Sequence, residues 1–369
     1  MKKSLLLALV FALPFSCRQS TSTDASVDPP SPNAVRPPVI TDTVPFDSDD
    51  VALWLNPDNP EQSLVLGTDR NANGGLYAFG LQGKMLKDLT LPLKEPGSVD
   101  VAYGFPLGNT KVDIAAVTET LTSKLRIVSL PDLKPIDGAG IDMFVGEQGE
   151  HFREPLGVAL YKHSTSGKFY AFVTRKSGPT DSTYVWQYLL EAKDGTITAT
   201  VARKFGTFSA KKKIDAIAVD AELGYVYYAD EGTGVRKYHA DPDKGNAELA
   251  LFAGEGFAGD QKGISIYKVN DGTGYILVSD QQAHRFQIFP REGAPSNPHQ
   301  HTLIKTEELI ARHSDGSDVS NATLNPTFQA GMFLAMSADR TFQLYRWEDI
   351  AVNLKIAPNG VPRDTVKNM

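Results

Sequence analysis

The sequence predicts an all-β fold, a six-bladed β-propeller, and three observations carry that expectation. A three-strand apolar pattern recurs six times, its copies begin about 47 to 59 residues apart, and no helical periodicity of persuasive length interrupts them. The clearest copy is DAIAVDAELGYVYYADEGTGVRKY at 215–238. Its IAV and YVYYA runs are rich in β-branched and aromatic residues, and ELG between them reads as a turn, so the pair forms an antiparallel hairpin.

Ahead of the repeats, MKKSLLLALVFALPFSC carries two lysines, an apolar run too short to span a bilayer, small Ser16 and the only cysteine of the chain. Residues 1–17 read as a lipoprotein-type signal peptide, with Cys17 the lipidated first residue of the mature chain. The protein is therefore expected to be exported, periplasmic or on the cell surface, and to touch a membrane only through that anchor. Secretion without a lipid is the alternative. Residues 18–45, rich in Ser, Thr, Pro and Asp, read as a flexible linker, so structure is expected from about Phe46. The propeller occupies 46–352 and a C-terminal tail 353–369. A chain of 369 residues, 41% hydrophobic and 22% charged, can bury one large core, and a monomer is expected. Its formal charge of −7 and the lack of a basic arm exclude general nucleic-acid binding.

The repeats start at Val51, Val99, Gly157, Ala216, Gly263 and Val319. VALWL and SLVLGTD open the first, VDVAYGF and VDIAAVTE the second, GVALY and FYAFVTR the third. The fourth is the hairpin above, the fifth is GISIYKV with GYILVSD, and the sixth is VSNATL with GMFLAMSAD. Each continues through a polar loop to a third strand. Outer fourth strands are expected at KMLKDLTLP, ITATVARKFG, AELALFAG and HTLIKTEEL.

In a propeller the first strand of each blade lines the central channel, and the loop after the second strand lies at the same end as the start of the first. Carboxylates recur at both places. Before or at the start of the first strands stand Asp49-Asp50, Asp100, Glu154, Asp215, Asp260 and Asp315 with Asp318. After the second strands stand Asp69, Glu119, Asp230-Glu231, Asp280 and Asp339. Their repetition predicts an acidic ring at one mouth of the channel, which is unfavourable unless cations neutralise it. Oxygen donors at that density suit calcium better than zinc. Basic residues on the same face, Arg70, Arg175, Lys176, Lys211–Lys213 and Lys262, point to an anionic ligand such as a phosphate ester. The run Lys211–Lys213 reads by itself as a solvated loop.

Many ordered stretches resemble the β-propeller phytases, calcium-dependent enzymes that remove phosphate from inositol hexakisphosphate. The stretches are DSDDVALWLNP, TDRNANGGLYAFGLQGKML, VDVAYGFPL, VDIAAVTE, GKFYAFVTRKSG, the 215–238 hairpin, GYILVSDQ and SDGSDV. The resemblance implies several bound calcium ions held by Asp49, Asp50, Asp100, Asp215, Glu231, Asp260 and Asp315. It implies catalytic roles for Asp215, Glu231 and Asp260, and phosphate contacts from Arg70 and Lys176, with Lys262 beside them. The partner it implies is a phosphorylated small molecule, an inositol phosphate. The chain departs from the family pattern at Asp215, where a glutamate is usual, and at Lys262, where a glutamate ligand is usual. It also departs at Leu156 and Thr120, where a tyrosine and an arginine are usual. Because an ammonium cannot coordinate calcium, the departures imply reduced activity. A non-enzymatic propeller that binds an anion, and a protein-interaction propeller, remain the alternatives.

Overall fold

A computed structural model describes residues 30–353. Cys17 and the tail beyond residue 353 lie outside the described residues. Six antiparallel sheets succeed one another along the chain, each running from an inner strand outward. The inner strands are Ser48–Trp54, Pro96–Leu107, Pro155–Lys162, Ile217–Asp220, Gln261–Asn270 and Ser317–Ser320. The six-bladed propeller expected from the repeats is therefore the fold. Three anticipated outer strands form as Met85–Pro92, Thr196–Phe205 and Lys305–Glu308, and the fourth is shortened to Ala250–Phe252.

The core explains why the pattern must recur. Six buried apolar clusters form, one at each junction between neighbouring blades. Ile114, Leu125 and Phe105 of blade two, for example, pack on Val158, Trp186 and Tyr188 of blade three. No blade can bury its faces alone, so stability comes from each sheet covering the next. Close approach of inner strands also fixes particular residue types. A Cβ on Gly157 would lie 2.1 Å from the carbonyl oxygen of Asp215 in the next blade, and one on Gly316 would lie 2.0 Å from Asp50 Oδ1.

The ring closes in a way the sequence reading did not foresee. Val39–Ile40 pairs antiparallel with Thr341–Arg346 as the outer strand of blade six, so the first part of the chain latches onto the last. Val44 and Thr41 are buried against that blade, and Val35 is buried where it bridges Leu309 beside the outer strand of blade five. This corrects the linker over 18–45 and the start at Phe46: within the described residues, structure begins about ten residues earlier. The signal was faint, a two-residue apolar strand among prolines. Deleting residues 30–45 is expected to lower the melting temperature by several degrees, since it uncovers the blade-six edge and the apolar cluster around Val44. Circular dichroism melting of the truncated chain checks this.

Candidate functional site

Two sets of carboxylates at the channel mouth do different work. Those ending the second strands are mostly structural. Asp69 accepts from the backbone N–H groups of Phe46 and Asp47, Glu119 from Lys94, Asp230 from Ser209 and Asp280 from Ala258. In each case the carboxylate ties down the loop that leads into its own blade's inner strand. The backbone N–H of Arg312 finds Ser337 Oγ instead in blade six. The recurrence that predicted an acidic ring is thus, for this set, the recurrence of a loop anchor. Arg175, expected at the mouth, is buried too. Its guanidinium lies over Phe144 and donates to the carbonyls of Thr183 and Tyr184 and to Glu147.

Deeper in the channel, acids join consecutive blades. Asp50 Oδ2 accepts from Ser98 Oγ at 2.5 Å and from the Val99 N–H at 3.0 Å. Asp100 Oδ2 accepts from the Leu160 N–H, and Asp318 Oδ2 from that of Leu53. Burial pushes Asp50 and Asp100 up to about 7 and Asp318 to about 6. Replacing Asp50 with alanine is expected to cost about 2 kcal/mol, because buried donors of blade two lose their acceptor. Urea denaturation of the variant measures this.

At the mouth itself, side chains from four blades meet around Asp215. Its Oδ2 lies 2.8 Å from Lys262 Nζ, 2.8 Å from Lys213 Nζ and 3.9 Å from Arg70 Nη1. Arg70 also reaches Asp49 at 3.1 Å, and Lys262 reaches Glu231 at 3.0 Å. Burial opposes ionisation of Asp215, yet Lys262, Arg70 and Lys213 outweigh it and hold the group well below the usual carboxylate range. Glu231 goes the other way, pushed up to about 7 by burial, and Asp315 is pushed to about 8 for the same reason. Asp49, Asp50, Asp100, Asp215, Asp315 and Arg70 line a cavity of about 170 Å³ to which the inner strands of all six blades contribute.

The structure therefore brings Asp49, Arg70, Asp215, Glu231, Lys262 and Asp315 together. Asp50 and Asp100 lie further down the channel wall. Asp260 stands to one side, paired with Lys212 and accepting from Gln282 Nε2, and Lys176 bonds Glu154 at 3.0 Å. Lys213 and Lys212, placed on this face by the sequence but taken alone as a solvated run, are two of the cations that neutralise the acids, and Gln281 Nε2 donates to Asp315. The run preceding Asp215 carried that signal: two residues before a mouth carboxylate, a lysine can fold back onto it.

A calcium ion takes about six to eight oxygen ligands. Among the described residues no group of three or more Asp, Glu, His or Cys side chains converges to hold a metal. The donor chemistry nevertheless suits a hard cation beside Asp49, Asp215 and Asp315, because Asp215 Oδ1 is buried without a hydrogen-bond partner among the described residues. Between Asp215 and Glu231 the fit fails, since Lys262 Nζ already stands there.

The phytase family profile matches residues 3–359. A 3-phytase of Bacillus subtilis (strain 168) is 28% identical over 329 residues, 85% of this chain and 82% of its own length. A solved structure titled Dos1 propeller aligns with a TM-score of 0.40 at 12% identity, over 80% of this chain and 67% of that one. With the family profile spanning nearly its whole length, the chain belongs to the phytase family.

Proposed function

We propose that the protein is a calcium-dependent phosphomonoesterase that releases phosphate from myo-inositol hexakisphosphate and acts outside the cytoplasm, tethered through Cys17. Family membership supports phosphatase chemistry in general. The observation that carries the finer reading is the convergence of Arg70, Lys213 and Lys262 on one buried carboxylate in a cavity open to the channel mouth. Three cations held by a fixed acid are preorganised donors for phosphate oxygens, and preorganisation is what lets such contacts favour the transition state.

In this reading Asp215 orients the cations, and Arg70, Lys213 and Lys262 bind the phosphate undergoing attack. Lys176 on the rim meets a neighbouring phosphate of the same substrate, and Asp260 holds Lys212 toward the opening. Glu231, buried and pushed up to about 7, is placed to exchange a proton at the mouth. Of the seven acids that the family resemblance puts at calcium, Asp49, Asp215 and Asp315 are the ones proposed to hold it here, since Lys262 occupies Glu231, Lys212 pairs with Asp260, and Asp50 and Asp100 accept hydrogen bonds from the next blade. Bound there, calcium would offset substrate charge and acidify a water for attack on phosphorus.

The test is phosphate release from inositol hexakisphosphate by the full chain, with calcium and with chelator. Release that chelator suppresses is expected. Substrate binding without release would favour the anion-binding propeller, and neither binding nor release would remove the proposal.

A further inference from the structure

Resting on the phosphatase reading, we infer that Lys262 is a built-in cation: its ammonium takes the place of a divalent ion between Asp215 and Glu231, and it gives the mouth a phosphate site that needs no metal at that point. Lys262 is the second residue of the inner strand Gln261–Asn270, and its side chain is 5% exposed, so it is wedged among the acids rather than resting on them. Nζ lies 2.8 Å from Asp215 and 3.0 Å from Glu231, the two carboxylates an ion in that gap would have to bridge. The gap is fixed from both sides. Gln261 Oε1 accepts from the Gly232 N–H at 3.0 Å, which latches the loop carrying Glu231 to the strand carrying Lys262.

Charge counting decides what such a site can bind. Around Asp215, three cations (Arg70, Lys213, Lys262) face four carboxylates (Asp49, Asp215, Glu231, Asp315). The group is at most one charge negative. A glutamate at 262 would leave it two charges more negative, and a phosphate dianion would then enter only together with a divalent ion. An ammonium has three N–H donors. Asp215 accepts from one, Glu231 lies at ion-pair distance without a hydrogen bond from the ammonium, and a donor remains for a phosphate oxygen.

The experiment titrates inorganic phosphate into the full-length protein by calorimetry in the presence of chelator, and separately measures calcium uptake by equilibrium dialysis. Wild type is expected to bind phosphate without calcium. Lys262→Met is expected to weaken that binding at least about tenfold, the loss of one charge-assisted donor, with no gain in calcium. Lys262→Glu is expected to weaken it similarly in chelator, to take up one more calcium ion than wild type, and to regain phosphate affinity when calcium is added. Thermal melts establish that each variant is folded. Phosphate binding by wild type only with calcium, or equal affinity in wild type and Lys262→Met, would overturn the inference. Because the readouts are binding and stoichiometry, failure to hydrolyse inositol hexakisphosphate would sink the phosphatase reading while leaving this one standing.

Discussion

Asp215→Ala is expected to lower phosphate release from inositol hexakisphosphate by about 100-fold or more, the scale seen when preorganised charge stabilisation is removed. No other acid at the mouth touches so many cations: Lys262, Lys213 and Arg70 all address its Oδ2. Without it, three like charges are left together in a partly buried cavity, and Lys213, which is a third exposed, turns out to solvent. Lys262 would keep only Glu231. Asp215→Asn is the informative companion, because the amide preserves shape and removes charge. It is expected to lose activity as well, by a smaller factor. Steady-state release assays on both variants, at protein concentrations corrected for folded fraction, measure the effect. Activity within twofold of wild type in Asp215→Ala would show that the cations are held by something else.

The largest effect on stability lies at the other end of the same blade. Asp220 closes the inner strand Ile217–Asp220, so it stands at the far mouth from Asp215. Its two oxygens take a bidentate pair of bonds from Arg291, both at 2.6 Å, and each side chain is nearly inaccessible. Removing Asp220 leaves the buried Arg291 with only the partly exposed Glu222, at 3.1 Å, in place of a bidentate partner, which costs about 3 kcal/mol. Asp220→Ala is therefore expected to lower the melting temperature by several degrees. It is expected to leave phosphate release per folded molecule near the wild-type rate. Asp215→Ala should instead cut release per folded molecule, whatever its melting temperature, and that contrast separates the end of the channel proposed to do chemistry from the end that holds blades four and five together.

How far the sequence reading reached depends on what each residue's environment had to supply. Blade number, strand order and inner-strand starts were legible because every blade obeys one packing rule, and a rule applied six times is visible even when each strand is short. The blade-six closure was not legible: Val39–Ile40 is an ordinary dipeptide until Thr341–Arg346 is beside it. Among the acids, spacing located the mouth but could not tell anchor from ligand. Asp69 and Asp230 sit in the same pattern as Glu231, yet they spend their oxygens on backbone N–H groups of a preceding loop. The distinction lies in a hydrogen bond across some 20 residues, which no local pattern encodes. Lys213 was placed on the right face but not singled out, for a related reason. A lysine run is usually solvated, and only the return of the chain to Asp215 makes this one part of the site. Lys262, by contrast, stood out at once, since a cation in an acidic pattern has to be accounted for.

The account rests on one spatial claim, that side chains from separate blades build a single phosphate-binding point at the mouth. A crystal structure of the full chain soaked with inorganic phosphate tests it most directly. The expected result is a tetrahedral anion within hydrogen-bond distance of Arg70, Lys213 and Lys262. Phosphate bound elsewhere on the surface, with Lys262 still closed on Asp215 and Glu231 and that point empty at saturating phosphate, would contradict it.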